Sequence, residues 1–345
     1  MNFLGKELGK NKYPFIVAEI SCNHEGSLTH AKELIAAAKE AGADAVKFQL
    51  YDADDMTYCG NWFNYSDGSN GLFVKNGPWK GQHLHSLYQK TGTPYEWVSI
   101  LFEYAKSVNI PLFASVFSEK AIKTLEENNC PAYKIASFEI VDTELVKKVC
   151  ATNKPVVFST GMATAQEIYS IIDNVENKDI ILLHCVSAYP TMLEEANLWR
   201  MKWLNEITGE SVGFSDHTEG HLAAQIACGM GAVMIEKHLY LGGGTSEDAG
   251  FSLTPQAFKF FVKACRRAAE ASFESTSIEE SYSRQFRRSL YTVKDVVAGE
   301  PFTNENVRSI RPSFGLPPAR YSDTLTKKAK INIRAGTALK EEHLK

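Results

Sequence analysis

The sequence predicts an α/β protein, a (β/α)8 TIM barrel followed by a small C-terminal domain. Short apolar runs rich in β-branched residues alternate with stretches of helical periodicity, which is typical of parallel strands joined by crossover helices. About eight such strand–helix pairs occupy residues 1–272, and eight pairs close a barrel of roughly 250 residues. After this point the pattern changes to short strands, which indicates a separate domain.

The predicted strands are buried apolar runs, and they cover 15–20, 43–50, 111–116, 132–136, 155–159, 179–185, 211–214 and 232–235. The predicted helices carry apolar residues at i, i+3, i+4 spacing, and they cover 28–41, 94–108, 118–128, 142–151, 164–175, 197–207, 221–230 and 255–273. Ser27 is the expected N-cap of the first helix and Gly42 its stop. The alternative, a doubly wound open sheet, lacks a GxGxxG turn after the first strand.

Two stretches interrupt this rhythm. Residues 51–93 form an insertion after the second strand, where a long loop is usually functional. The Ser- and Glu-rich residues 273–286 are predicted to be a linker to the domain at 287–345. Within that domain 296–307 resembles 333–344, which suggests a compact pseudo-symmetric fold. A domain of about 60 residues is marginally stable alone, so we expect it to pack on a barrel, its own or a partner's.

Composition restricts the class of protein. A net charge of -4 over 345 residues argues against nucleic acid as the main partner. The seven cysteines are odd in number and form no CxxC, which fits a reducing cytosol. No apolar run approaches the roughly 20 residues of a membrane span, and the first residues lack the apolar core of a signal peptide. We therefore expect a cytoplasmic protein that holds any anionic substrate with a few local cations and not with its overall charge.

Polar or ionisable residues stand at the end of nearly every predicted strand. They are Glu19, Lys47, Gln49, Ser115, Lys134, Ser137, Ser159, Thr160, His184, Ser187, Tyr189, the triplet 215–217 (SDH) and the triplet 236–238 (EKH). Since the carboxyl ends of the strands of a barrel meet at one face, these side chains predict an active site there.

His217 and His238 end two neighbouring strands, each beside an acid, and neutral imidazoles suit Mn, Zn or Fe. The alternative is a pair of hydrogen-bonded core histidines. His221 forms HxxxH with His217, but we expect it to lie outside the site. Glu19 is a candidate acid, base or partner of a metal-bound water, or else a member of a strand-end salt bridge.

Lys47 and Lys134 lie inside strands, where a buried amine is costly unless it is paired. Together with Ser115, Ser137, Ser159 and Ser187 they predict a cradle for phosphate or carboxylate. The alternative is that each lysine reaches the surface. We also expect 159–161 (STG) to open a helix and to offer backbone N–H groups to an anion.

Several motifs carry a resemblance that covers nearly the whole chain. AEISCNHEGSLTHAKELIAAAKEAGADAVKFQ, YKIASFEI, FSTGMAT, LLHCVSAYPT, GFSDHT and IEKHL resemble the bacterial sialic acid (nonulosonate) synthase family in order and spacing. The tail NENVRSIRPSFGLPP…KKAKINIRAGTALKEEHL is similar to its antifreeze-like (SAF) domain. Residues 87–97, 246–253 and 311–318 resemble most the members of the family that make pseudaminic acid.

This resemblance implies a transferase that condenses phosphoenolpyruvate with 2,4-diacetamido-2,4,6-trideoxy-L-altrose and releases phosphate. It implies a divalent metal, Mn or else Mg or Co, held by His217 and His238. Phosphoenolpyruvate would be bound by Lys47, Ser115, Lys134, Ser137, Ser159, Ser187 and Ser215, and the sugar by Gln49, Tyr189, Asp248 and Arg311. A domain-swapped homodimer is implied too, since Arg311 would come from the other subunit.

The chain departs from the usual family pattern in three places. Ser187 stands where sialic acid synthases usually carry Asn, Ser115 stands where they carry Thr, and 51–93 does not follow them closely. N-acetylneuraminate or legionaminate synthesis is the alternative within the family. A non-catalytic sugar-binding barrel is the alternative outside it, but such a protein would not need both lysines and a histidine pair.

Overall fold

The structure is a computed structural model that describes residues 1–58, 74–75, 77, 79–175, 179–274 and 280–345. The chain divides into two compact units, Met1–Glu274 and Ser275–Lys345. Most of the predicted insertion between 59 and 78, and residues 275–279 of the predicted linker, lie outside the described residues.

The first unit is a closed barrel of parallel strands, which confirms the predicted fold. Its strands are β1 Phe15–Glu19, β2 Ala45–Leu50, β3 Leu112–Val116, β4 Tyr133–Ile135, β5 Val156–Ser159, β6 Ile180–His184, β7 Ser211–Asp216 and β8 Met234–His238. Each strand pairs with the next one in the chain, and β8 pairs with β1 to close the ring. Apolar residues of the strands and of the surrounding helices form one core.

Among the described residues, eight helices follow the strands where the apolar spacing predicts, and two, Ala53–Met56 and Leu84–Thr91, lie inside the insertion, where no helix was predicted. They are Leu28–Ala41, Ala53–Met56, Leu84–Thr91, Val98–Ser107, Glu119–Glu127, Thr143–Cys150, Ala165–Asn174, Trp199–Thr208, Leu222–Gly229 and Pro255–Ser272. The first helix has the predicted ends. The Ser27 hydroxyl accepts a hydrogen bond from the His30 N–H, and Gly42 closes the helix in the left-handed region at φ +90°.

Several boundaries differ from the predictions, and three of the differences have a clear local reason. β8 starts at Met234 and runs through the triplet 236–238, because the charged groups of Glu236 and Lys237 find partners in the barrel instead of ending the strand. The predicted helix 94–108 begins with a 3-10 turn, Tyr95–Trp97. Residues 159–161 do not open a helix, since the next helix begins at Ala165 after its N-cap Thr164, which forms a capping box with Glu167.

A hairpin at the N-terminus was not predicted. Asn2–Phe3 pairs with Lys6–Glu7, and two-residue strands carry too little periodicity to be recognised. Phe3 is fully buried and packs edge-on against Phe15, with ring centroids 5.0 Å apart, at the start of β1. The hairpin therefore covers the end of the barrel opposite the predicted site.

The second unit contains the antiparallel strands Ser289–Thr292 and Val307–Ile310 around its own small core. The two similar segments occupy equivalent places. Val296 and Ile333 form a pair of backbone hydrogen bonds, each 2.8 Å, while Gly299 and Gly336, three residues further on, have φ +90° and +82°. A short helix, Ser281–Arg284, lies inside the segment predicted as linker.

Among the described residues, no helix combines the length and the apolar character that crossing a bilayer requires.

Candidate active site

A cavity opens at the carboxyl ends of the barrel strands, where the sequence predicts the site. Its walls include Glu19, Lys47, Gln49, Ser115, Lys134, Ser137, Ser159, Tyr189, Ser215, His217, His238 and Asp248. The strand period explains this grouping. Successive residues of a strand point to opposite faces, so residues two apart, such as Lys47 and Gln49, share the inner face.

Lys47 connects three strands at the base of the cavity. Its ammonium group donates to the Glu19 carboxylate on β1 and, at 2.8 Å, to the Ser115 hydroxyl on β3. It also lies 3.6 Å from the Glu236 carboxylate on β8. Burial alone would lower the pKa of Lys47, but the two carboxylates outweigh that effect and raise it. The predicted alternative, a lysine that reaches the surface, is wrong, since Lys47 is 2% exposed.

Lys134 provides a second buried ammonium group, and it is 2% exposed. Its Nζ donates to the Ser159 hydroxyl at 2.6 Å and to the Ile135 carbonyl at 3.1 Å. Burial lowers the pKa of Lys134. It makes no ion pair with a carboxylate among the described residues, so an anion entering the cavity would find its charge available.

Glu19 and Glu236 share the charge of Lys47 but differ in pKa. Burial, with the neighbouring Glu236, raises the pKa of Glu19 to about 7 against the opposing effect of Lys47. The pKa of Glu236 is lowered although it is buried, because Lys47, Lys134 and His217 surround it and the Ser215 hydroxyl donates to it at 3.1 Å. A carboxyl group that titrates near neutral pH beside an ionised one is suited to proton transfer.

The two histidines are neighbours inside the cavity, with ring centroids 5.6 Å apart. His217 Nδ1 donates to the Val186 carbonyl at 3.0 Å, which leaves the lone pair on Nε2. His238 Nδ1 is buried without a hydrogen-bond partner, and it lies 3.6 Å from a carboxylate oxygen of Asp248.

Burial keeps both rings neutral. It lowers the pKa of His217 to about 4, and it lowers that of His238 well below its usual value with help from His217. Neutral imidazole with a free lone pair is the form that binds metal, so these residues fit a divalent ion. No group of three or more His, Cys, Asp or Glu side chains in the described part of the chain is arranged to hold one.

Polar and aromatic groups form the wall beside the histidines. The Ser21 hydroxyl donates to Asp248 at 2.5 Å and accepts from the Gln49 amide at 3.2 Å. Tyr189 packs against His217, with ring centroids 4.4 Å apart, and against Phe251 at 5.2 Å. Burial raises the pKa of Asp248 to about 6. This wall offers hydrogen-bonding groups and ring faces, the combination that binds sugars.

Comparison with known proteins agrees with this geometry. The NeuB family model matches residues 34–276, and the SAF domain model matches residues 287–345. The chain belongs to the NeuB family. It is 43% identical over 338 residues to a pseudaminic acid synthase of Campylobacter jejuni, covering 96% of both chains. It is 40% identical over 341 residues to a pseudaminic acid synthase of Helicobacter pylori, covering 96% of this chain and 98% of that one.

A solved structure agrees over the same length. The spore coat polysaccharide biosynthesis protein SpsE of Bacillus subtilis superposes with a TM-score of 0.65 at 29% identity, and the match covers 100% of this chain and 99% of that one. The (β/α)8 barrel with a SAF domain is therefore the architecture of this NeuB-family chain.

Two of the predicted site residues do not line the cavity. Ser187 lies just beside it. Its hydroxyl and that of the lining residue Ser137 both approach Gly161, since a β-carbon added there would meet them at 2.4 and 3.0 Å. The buried Ser187 hydroxyl has no hydrogen-bond partner. Arg311 belongs to the second unit, where it is exposed beside the strand Val307–Ile310.

Other polar groups from the strand ends serve packing. His184 stacks on Phe214 and bonds the Ala196 carbonyl at 2.8 Å. His221 precedes the helix Leu222–Gly229 and contacts Gln225, so it lies outside the cavity as predicted.

Glu139 is a cavity residue that sequence reasoning did not predict. It lines the cavity, one of its carboxylate oxygens is buried without a hydrogen-bond partner, and burial raises its pKa to about 7. The only signal in the sequence was its position two residues after Ser137, in the loop that follows β4.

Proposed function

We propose that this chain condenses phosphoenolpyruvate with 2,4-diacetamido-2,4,6-trideoxy-L-altrose to give pseudaminic acid and phosphate. The observation that carries the proposal is the pairing of two environments in one cavity. Two buried lysines lie among serine hydroxyls, and a pair of neutral histidines lies beside them. The first environment suits a small polyanion, and the second suits a carbonyl compound. Relatives named pseudaminic acid synthase at 40 and 43% identity support this choice of reaction.

The lysines would hold phosphoenolpyruvate. Lys134 with Ser159, and Lys47 with Ser115, are two cations with hydroxyl donors at hand. Ser137, Ser187 and Ser215 add hydroxyls around them. Because the lysines are fixed before the substrate arrives, they would neutralise carboxylate and phosphate without reorganisation.

In the reaction, C3 of phosphoenolpyruvate attacks the aldehyde carbon of the open-chain sugar, water adds at C2, and the tetrahedral product expels phosphate. A base is needed for the water and an acid for the sugar oxygen. Glu19 and Glu139 both have pKa values raised to about 7 by burial, so each can hold or release a proton at neutral pH. Glu19, a candidate acid or base from the sequence, lies beside Lys47 and is the proposed base.

A divalent metal, Mn first and Mg or Co as alternatives, would be held by His217 and His238. When bound it would supply Lewis-acid polarisation of the sugar carbonyl. The residues support this through their lowered pKa values and the unpartnered His238 Nδ1.

Gln49, Tyr189 and Asp248 would bind the sugar from the wall beside the histidines. We further propose a homodimer in which Arg311 of one copy reaches the sugar bound by the other. Support comes from large apolar side chains exposed on the loops after three adjacent strands, namely Phe138, Met162 and Met192, with exposures of 58, 55 and 56%. An apolar surface of this kind on a barrel rim is typical of a protein contact.

Mixing two inactive variants tests whether the second unit of one subunit completes the site of the other. His238→Ala removes the barrel site, and Arg311→Ala removes the contribution of the second unit. An equimolar mixture refolded together should recover about a quarter of full activity, since half of the dimers are mixed and each has one intact site. A mixture no more active than its components would contradict the exchange.

We also propose that the protein acts in the cytoplasm. The six described cysteines carry free thiols, as expected for a reducing compartment.

Phosphate release tests the reaction itself. The purified chain is assayed with phosphoenolpyruvate, Mn²⁺ and either the trideoxy diacetamido altrose or N-acetylmannosamine. We expect phosphate with the former at a kcat/KM at least about 100-fold higher, as two or three substituent contacts allow. Preference for N-acetylmannosamine would identify a sialic acid synthase instead. No phosphate with any acetamido sugar would favour a non-catalytic sugar-binding protein.

A further inference from the structure

Ser21 occupies an unusual position at the end of β1. Its backbone lies in the left-handed region, at φ +40°, although it carries a β-carbon. Side chains disfavour this region, and glycine adopts it freely. The same loop turns again at Glu25 and Gly26, with φ +49° and +69°. A strained serine persists where the surroundings fix it, which suggests a use for its hydroxyl group.

Three hydrogen bonds fix Ser21, and each reaches a different proposed site residue. Its backbone N–H donates to Glu19 at 2.6 Å. Its hydroxyl donates to Asp248 at 2.5 Å and accepts from the Gln49 amide at 3.2 Å. Ser21 is 4% exposed and lines the cavity. It therefore joins β1, β2 and the loop after β8 at the sugar side of the cavity.

The hydroxyl determines how its two partners are presented. Gln49 must direct its N–H toward Ser21, which turns its carbonyl oxygen away. One Asp248 oxygen accepts the hydrogen bond from Ser21, and the Cys22 thiol also contacts this carboxylate. Without the hydroxyl, the Gln49 amide can rotate and the Asp248 carboxylate loses a fixed donor.

We infer that Ser21 is a positioning residue for the sugar, which acts by orienting Gln49 and Asp248 while its backbone holds Glu19. The inference rests on the proposed function. The Ser21 hydroxyl contacts Gln49 and Asp248 on the proposed sugar side. Lys47, on the phosphoenolpyruvate side, is linked to Ser21 through Glu19 and the backbone N–H, which substitution of the hydroxyl leaves in place.

Two substitutions test the hydroxyl separately from the strained backbone. Ser21→Ala keeps the β-carbon and the strain, whereas Ser21→Gly removes both. Both keep the N–H that binds Glu19. We expect each to raise the KM for the sugar about tenfold, equivalent to about 1.4 kcal/mol, and to leave the KM for phosphoenolpyruvate within about twofold.

Asn153→Gly is the matched control for relief of strain. Asn153 has φ +55° and is exposed just before β5, at the opposite end of the barrel. It should leave both KM values unchanged. Titration calorimetry with the sugar alone gives a readout that needs no turnover, and the Kd should rise by the same factor in both Ser21 variants.

Several outcomes would overturn the inference. These are a sugar KM and Kd within twofold of the unsubstituted protein in both variants, an effect in only one of them, or an equal rise in both substrates' KM values. Failure of the proposed function looks different, because the unsubstituted chain itself would release no phosphate, while calorimetry with the sugar would still decide the role of Ser21.

Discussion

Strands β7 and β8 carry two sets of polar residues side by side. The inner set, Ser215, Glu236 and His238, lines the cavity. The outer set, Asp216 and Lys237, alternates with it along the same strands and is fully buried between the barrel and the helices. The strand register places inner residues beside inner ones and outer beside outer, since Ser215 lies opposite Glu236 and Asp216 lies opposite Lys237.

The two sets use their charges differently. In the outer set, Lys237 lies 3.3 Å from Asp216 and also donates to the Thr218 carbonyl, while Asp216 accepts from the Thr218 N–H at 2.9 Å. In the inner set, Glu236 shares Lys47 with Glu19, and His238 Nδ1 has no hydrogen-bond partner. Paired charges stabilise one arrangement, whereas unpaired groups remain available for a ligand. Residues adjacent in sequence thus lie in different environments, and we propose that the outer pair serves the fold and the inner set the reaction.

The largest expected effect comes from the inner set. His238→Ala should lower kcat/KM for phosphate release by about 1,000-fold, because several kcal/mol of carbonyl activation are lost. The variant should still fold with a melting temperature lowered by only a few degrees, because the lost packing of the ring on Phe251 is partly offset by removal of an unpartnered buried nitrogen. Activity within tenfold of the unsubstituted protein, with Mn²⁺ supplied, would contradict the assignment of a metal to this histidine.

The outer set should respond in the opposite way. Lys237→Met leaves the Asp216 carboxylate buried without its cation, which costs about 3–5 kcal/mol of unfolding free energy. Urea unfolding measures the loss, and kcat of the folded protein at low temperature should stay within about threefold. The double variant Asp216→Asn/Lys237→Met should recover part of the stability. A single variant that loses less than about 1 kcal/mol would show that the pair is not needed for folding.

A third prediction concerns how the unfolding free energy depends on pH through Glu139. Burial raises the pKa of Glu139 to about 7 in the folded protein, from an ordinary value of 4.5. The folded state then binds the proton more tightly, so the contribution is present at pH 4.5 and is lost as pH rises through 7. Between pH 5 and 8 the unsubstituted protein should lose about 2–3 kcal/mol from this group.

Glu139→Gln should remove that loss, which urea unfolding at pH 5 and pH 8 measures. The exposed Glu144 gives the control, because Glu144→Gln changes an acid on the next helix without altering the cavity. An unchanged difference between the two pH values in Glu139→Gln would contradict the raised pKa.

The sequence was sufficient for the barrel because each strand and helix carries a local signal. Ser27 and Gly42 mark both ends of the first helix, and the apolar runs mark the strands. It also predicted which end of the barrel holds the cavity, because polar residues at strand ends conflict with an apolar core. It could not separate the inner from the outer set. These strands are buried on both faces, so no alternation of polar and apolar residues showed which of Ser215 and Asp216 lies inside.

Other features depend on tertiary contacts that leave no local pattern. Glu139 comes to the cavity through the path of a loop, and Phe3 is placed by a hairpin of two-residue strands. The left-handed backbone of Ser21 is fixed by partners from other strands. Residues 159–161 looked like a helix start, but the Thr164–Glu167 capping box sets the start four residues later.

The smallest effect is expected for His221, the second histidine of the HxxxH motif. It lies outside the cavity, where Nδ1 meets the Gln225 amide at 2.9 Å and the ring lies 5.0 Å from that of Phe260. His221→Ala should therefore leave Mn²⁺ affinity and kcat/KM within about twofold and lower the unfolding free energy by about 0.5–1 kcal/mol, the value of one side-chain hydrogen bond. Calorimetric titration with Mn²⁺, run beside His238→Ala, measures the contrast. A tenfold loss of Mn²⁺ affinity in His221→Ala would place this residue in the metal site and contradict the separation of inner and outer residues.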